Sequence, residues 1–256
     1  MKTTNLFTAI ALAAAFCFFG CESDSSDEAR AYDRQKSLDD GDYANVLELT
    51  KNCGGDQACL MDRGAAYMGL AGFDAPTIIE AVTDEKDDKR YFELLSDKIK
   101  PDANERLKDA NVTYGEVIKA RGKSVASCAD SGVSLNSYEN SACFNRGLTS
   151  IGSSAVIADE VAKLYDDLSG SCGNTIDTCF SGAANGEIRE LLKDAAGLIW
   201  DESNVLIDMI NVGDSDVKGK VEEIKGDICS NLGNNCSKQD ILANLDNIFQ
   251  YIIKSR

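Results

Sequence analysis

The chain of 256 residues contains no histidine. That gap excludes Ser-His-Asp and Cys-His catalysis and every histidine-ligated metal site. Proline is nearly as scarce, with only Pro76 and Pro101 present. Few positions therefore deny a helix its backbone donor. Basic residues are outnumbered, 26 Lys and Arg against 43 Asp and Glu, for a net charge of −17. Nucleic acid is not an expected partner, because binding it depends on Lys and Arg neutralising phosphates. Anionic lipid headgroups would be repelled as well, and the acidity reads as solubility. No Walker loop, G-x-G-x-x-G, G-x-S-x-G elbow, C-x-x-C or haem-attachment motif occurs. No cofactor is expected.

What is present begins at the N-terminus. Met1–Asn5 carries one positive charge, and Leu6–Phe19 is a mainly apolar run free of Asp, Glu, Lys and Arg. At 1.5 Å per residue that run reaches about 21 Å, short of a hydrocarbon core of roughly 30 Å. It has the length of a signal-peptide apolar region. Glu22-Ser23-Asp24-Ser25-Ser26-Asp27-Glu28 then turns entirely polar and acidic. At the junction stands Phe18-Phe19-Gly20-Cys21. It resembles the lipobox of bacterial lipoproteins, in which a small residue precedes a lipid-bearing cysteine. Gly20 and Cys21 match, and Phe18 stands where Leu is usual.

The resemblance implies a signal peptide over 1–20, lipid on Cys21, and an acidic tether over 21–28 reaching roughly 15 Å as a flexible coil. Cleavage after the Ala13-Ala14-Ala15 run is the competing site, but it would expose Phe16-Cys17-Phe18-Phe19 at the new terminus. Losing residues 1–20 removes Lys2 and no acid, so the net charge of −17 becomes −18. The expected location is the cell envelope, with the outer membrane favoured over the inner and the body facing periplasm or surface.

Setting Cys21 aside leaves eight cysteines in the body: Cys53, Cys59, Cys128, Cys143, Cys172, Cys179, Cys229 and Cys236. An even set in an exported chain points to disulfides. They fall into the local pairs Cys53–Cys59, Cys128–Cys143, Cys172–Cys179 and Cys229–Cys236, separated by segments rich in Gly, Asn, Asp and Ser. Such compositions form turns. Each pair is expected to staple a corner between helices. Metal binding by these cysteines is disfavoured, because neither C-x-x-C spacing nor a histidine accompanies them.

Apolar residues recur at intervals of three and four, which predicts an all-α fold. Leu107, Ala110, Tyr114, Val117 and Ile118 mark one helix, and Phe144, Leu148, Ile151, Ala155, Ala158, Ala162 and Tyr165 another. Gly147, Gly152, Ser153 and Ser154 in the latter are small enough for a neighbouring helix to approach closely. A long segment runs from Ile188 to Ile210, and Ile241, Leu245, Ile248, Phe249 and Ile252 mark the last helix. That helix opens with the capping-box pattern Ser237-x-x-Asp240 and ends with Lys254 and Arg256.

Ser37-Leu38-Asp39-Asp40-Gly41-Asp42-Tyr43-Ala44-Asn45-Val46-Leu47 resembles the turn and second helix of a tetratricopeptide repeat, with Val46 standing where Ala is usual. Gly64, Ala66, Tyr67, Leu70 and Phe73 supply a second partial copy, with Ala71 in place of Gly. Gly41 and Ala71 lie 30 residues apart, against about 34 in that repeat. The resemblance implies helical hairpins over 29–85, and the remainder of 29–256 must complete the core. The expected architecture is a short solenoid or irregular bundle, with a sub-boundary open near 169–186.

Two acidic clusters stand out. Trp200-Asp201-Glu202 places an aromatic beside two acids, a pattern that a solvated helix edge also produces. Asp214-Ser215-Asp216-Val217-Lys218-Gly219 copies the start of a calcium loop, but Lys218 and Lys225 occupy ligand positions. The sequence therefore points to a non-enzymatic envelope lipoprotein, joined to the membrane through its lipid and binding another envelope protein or supporting an assembly. The alternatives are a carboxylate-based enzyme acting on a glycan, and a helical protein enclosing a small ligand.

Overall fold

The computed structural model describes residues 25–73, 100, 102–130, 132–167, 173, 175–198, 222, 225–226, 228–229 and 236–254. Among these residues there are helices and no strand. The α-helices are α1 (Ser25–Asp39), α2 (Tyr43–Leu49), α3 (Gln57–Ala71), α4 (Ala103–Lys119), α5 (Ser137–Asp166), α6 (Ile176–Cys179), α7 (Gly182–Gly197), α8 (Lys238–Ala243) and α9 (Asp246–Lys254). A 3-10 turn, Val125–Ala129, precedes α5. The chain divides into two units, Met1–Asp33 and Arg34–Arg256.

In the first unit, α1 starts at Ser25 with Asp27 and Glu28 in its first turn. Acids there oppose the positive end of the helix dipole. The segment expected to be a flexible tether over 21–28 is therefore helical from Ser25 onward. Arg30 pairs with Asp27 at 3.5 Å on the same helix.

The second unit is an irregular bundle, the all-α architecture expected. Its axis is α5, 30 residues long and buried on nearly every side between Ala142 and Ala158. Asn136 and Glu139 form a reciprocal capping box at its start. Along α5 pack α4, α3, α7 and α9. Leu107, Ala110, Tyr114, Val117 and Ile118 form the buried stripe of α4, as the spacing predicts. The small residues of α5 do admit a neighbour closely. A Cβ on Gly152 would lie 3.3 Å from Leu107 Cδ1 and 3.4 Å from Phe73 Cγ.

Helix ends follow local chemistry. Asp56 caps α3 by accepting from Ala58 N–H at 3.0 Å, and Gly72, with φ 86°, closes it in the left-handed conformation. Gln57, the first residue of α3, binds in both directions. Its amide nitrogen donates to the Val117 carbonyl at 2.8 Å and its oxygen accepts from Asn136 Nδ2 at 2.9 Å.

The last helix departs from expectation. Ser237 and Asp240 form the anticipated capping box, but the helix stops at Ala243 and restarts at Asp246. Asn244 terminates it, with its side-chain amide donating to the Asp240 carbonyl at 3.0 Å. Asparagine competes for backbone groups in this way. Ile241, Leu245, Ile248, Phe249 and Ile252 are nevertheless all buried. Phe249 stacks edge-on against Tyr165 and Phe180, both at 5.9 Å between centroids. The Asp246 carboxylate accepts from Ile176 N–H at 2.8 Å, tying α6 to α9.

Candidate functional site

A cleft of about 680 Å³ opens between α4, α5 and α7. Helix α4 contributes Asn104, Leu107, Lys108, Asn111 and Val112. These positions fall on one face, since residues three and four apart are neighbours on a helix. Ser153 and Ile157 come from α5, one turn apart, Leu191, Lys193, Asp194 and Gly197 from α7, and Leu198 from the residue that caps α7. Lys238, at the start of α8, completes the lining.

Leu107 and Ile157 are buried beneath the cleft, whereas Leu191 and Leu198 are half-buried in its wall. Val112 is 63% exposed, an apolar side chain left open to solvent at this site. The polar groups differ in how firmly they are held. The Asn111 oxygen accepts from Arg146 Nε and Nη2 at 3.3 and 3.1 Å, and its nitrogen donates to Thr149 Oγ1 at 3.1 Å. Asn104 Oδ1 is buried with no donor in reach among the described residues. Lys193 pairs with Glu190 at 2.6 Å. Lys238 Nζ would sit 4.0 Å from a Cβ added to Gly197. Asp194 is the one carboxylate in the described lining.

Two further polar clusters are structural in character. Arg34 Nε donates to Asp62 Oδ2 at 2.7 Å, and Arg34 is buried. Burial pushes the Asp62 carboxyl above its usual range, even though the Arg34 hydrogen bond and charge pull it down. Tyr114, fully buried nearby, donates to Met68 Sδ at 3.4 Å, and burial pushes its hydroxyl far up. At the other end of α4, Lys123 lies 2.9 Å from Glu139. Burial opposes charge on Glu139. The Lys123 hydrogen bond, the Asn136 N–H and the charges of Lys123 and Arg121 outweigh it, holding the carboxyl below its usual range.

The cysteines lie at corners, as the sequence predicts. Cys53–Cys59 clips the α2–α3 turn to α3, and Cys128–Cys143 clips the 3-10 turn to α5. Cys229–Cys236 closes the approach to α8. Their Cα–Cα separations are 5.4, 5.6 and 5.5 Å. Cys179 is disulfide-bonded; its expected partner, Cys172, lies outside the described residues. Among the described residues no disulfide cysteine lines the cleft. Cys21, the Trp200-Asp201-Glu202 cluster, the calcium-like loop from Asp214 to Gly219, and residues 74–85 of the tetratricopeptide-like region also lie outside the described residues. Lys225 is helical, and burial lowers its pKa against the upward pull of Glu222.

The cleft itself was not visible in the sequence. Leu107, Leu191 and Leu198 carry the period of a core stripe, and nothing distinguishes a buried stripe from one that also floors a cavity. The available signal was the trio Asn104, Lys108 and Asn111, polar residues flanking Leu107 on the same face of α4. Among the described residues no group of three or more Cys, Asp or Glu could hold a metal. No helix among them is long and apolar enough to cross a membrane. No family model, curated protein or solved structure matches the chain.

Proposed function

We propose that this chain is a lipid-anchored, non-catalytic binding protein of the cell envelope, whose helical body takes a small ligand in the α4–α5–α7 cleft. The anchor rests on Gly20-Cys21 after an apolar run too short to span a bilayer. The observation that carries the ligand is the cleft. Its volume of about 680 Å³ falls within the roughly 300–1,000 Å³ of small-molecule sites. Leucine, isoleucine and valine line it together with a few polar groups, as such sites require. Carboxylate hydrolysis of a glycan needs two acids across the bond, and Asp194 stands without a second in the described lining.

The test is native mass spectrometry of the full chain purified from membranes, beside a Gly197→Leu variant. Among the described residues the one atom within 4 Å of a Cβ added at Gly197 is Lys238 Nζ, at 4.0 Å, so a side chain can be built there at the cleft wall. A small-molecule adduct on the native chain that the variant lacks supports the proposal. An adduct-free native chain that instead retains an envelope protein equally in both forms overturns it in favour of a protein partner.

A further inference from the structure

We infer that the cleft selects a neutral amphiphile with a hydroxyl head, the hydroxyl donating to Asn104 Oδ1 and accepting from Ser153 Oγ while its alkyl body lies over Leu107 and Ile157; this rests on the ligand-binding reading above. The first ground is a pair of polar groups left without partners in the cleft lining. Along α5 the hydroxyls of Thr149, Ser150 and Ser154 turn back onto backbone carbonyls of their own helix. Ser153, which lines the cleft, is only 6% exposed, and its hydroxyl makes no such bond among the described residues. Asn104, on the α4 wall, holds its Oδ1 buried with no donor among the described residues. Each bears the penalty of a polar group taken from water and left unpaired.

The second ground is placement. Asn111 on α4 bonds to Thr149 on α5, and Leu107, one turn earlier on α4, packs against Gly152. The two helices therefore run antiparallel here. The next turn of α4, at Asn104, falls beside the turn of α5 that starts at Ser153. Ile157 follows Ser153 by one turn, and both Leu107 and Ile157 are buried beneath the cleft. An apolar floor thus adjoins the two polar groups. Asn104 as a whole residue is half-buried. The terminal torsion of an asparagine is broad, so a modest turn presents its oxygen to a ligand.

Donor and acceptor chemistry narrow the head group. A hydroxyl carries one donor and two acceptor lone pairs, so it can serve Asn104 and Ser153 from a single atom. An ether oxygen or an ionised carboxylate accepts from Ser153 but gives nothing to Asn104. An ammonium gives to Asn104 but has no lone pair, and leaves the Ser153 O–H without an acceptor. Charge at the wall calls for neither sign: Lys193 is paired with Glu190 at 2.6 Å, and Lys238 is already engaged.

The experiment is calorimetric titration of the full chain, disulfides intact, with octanol, its isomer heptyl methyl ether, and octylammonium. The two isomers differ only in the O–H. Octanol is expected to bind about tenfold more tightly than the ether, because the ether leaves Asn104 unpaired. Octylammonium is expected to bind more weakly than octanol. Asn104→Leu is expected to bring octanol down to the level of the ether and to leave the ether unchanged. Ser153→Ala is expected to weaken octanol and the ether by a similar factor, since both accept from Ser153. Absent octanol binding, equal binding of the isomers, an octanol preference that survives Asn104→Leu, no effect of Ser153→Ala, or tighter binding of octylammonium overturns the hydroxyl selection while the ligand site stands. Binding that Gly197→Leu does not reduce overturns the cleft as the site altogether.

Discussion

Gly64 and Gly69 sit on α3, where two aromatic rings press against its backbone. A Cβ on Gly64 would come within 2.6 Å of Tyr114 Cε1, and one on Gly69 would collide with the ring of Tyr43. Tyr114 is only 1% exposed and hydrogen-bonded to Met68, so it has nowhere to retreat. Overpacking of this kind costs about 1–3 kcal/mol. Gly64→Ala is therefore expected to lower unfolding free energy by about 2–3 kcal/mol in urea, whereas Gly186→Ala, with nothing within 4 Å, is expected to raise it slightly. Charge gives a second prediction at this scale. The Glu139 carboxyl titrates lower in the fold than its ordinary value of 4.5. The native state then binds fewer protons than the unfolded chain, so this contribution is present above pH 4.5 and lost as pH falls below it. Glu139→Gln is expected to cost about 1 kcal/mol at pH 7. It should also flatten the loss of stability between pH 5 and pH 3, as read by denaturation at a series of pH values.

Among the elements, α5 shows most clearly how far sequence carries. Its apolar period was legible, and so was close approach at Gly152; its start at Ser137, capped by Asn136, was not. Its burial on nearly all sides was not, because Thr149, Ser150, Ser153 and Ser154 are polar by type. Three of these hydroxyls fold back onto the helix: Thr149 and Ser150 donate to the Arg146 carbonyl at 2.7 and 3.0 Å, and Ser154 to that of Ser150 at 2.9 Å. A hydroxyl satisfied in this way can be buried cheaply. The break at Asn244 escaped for the opposite reason. Apolar spacing runs through it unbroken, and only an asparagine side chain marks the stop. The Cys128–Cys143 staple was legible from spacing alone, because a separation of 15 residues leaves room for one turn and little else. Closing a loop of that length is worth about 3 kcal/mol in the chain-entropy account. Replacing both cysteines with serine is expected to lower the unfolding free energy by about that amount, with a further loss because Cys143 is fully buried. Non-reducing peptide mapping of the native chain checks the pairing itself.

For the whole molecule, the governing contrast is between a net charge of −17 and a proposed attachment to a membrane. An acidic body gains nothing from anionic headgroups, so attachment would depend on Cys21. Cys21→Ser is expected to move the protein from the membrane to the soluble fraction at physiological salt. Retention of the variant on membranes would sink lipid anchoring. The helix starts at Ser25, inside the stretch 21–28 that the composition offered as a tether. High salt is expected to leave the native protein in place, since a lipid anchor is not screened as a charge contact would be.

Gln57 joins the start of α3, the end of α4 and the cap of α5 through one side-chain amide, across sequence gaps of 60 and 79 residues. None of these three ends can open by itself without leaving a polar group of its neighbours unsatisfied in a partly buried place. Their peptide N–H groups should therefore trade hydrogen for deuterium together, with one opening rate for the first turn of α5, the last of α4 and the first of α3. Helix α9, held through Phe249 and Asp246 at another corner, is free to exchange on a clock of its own.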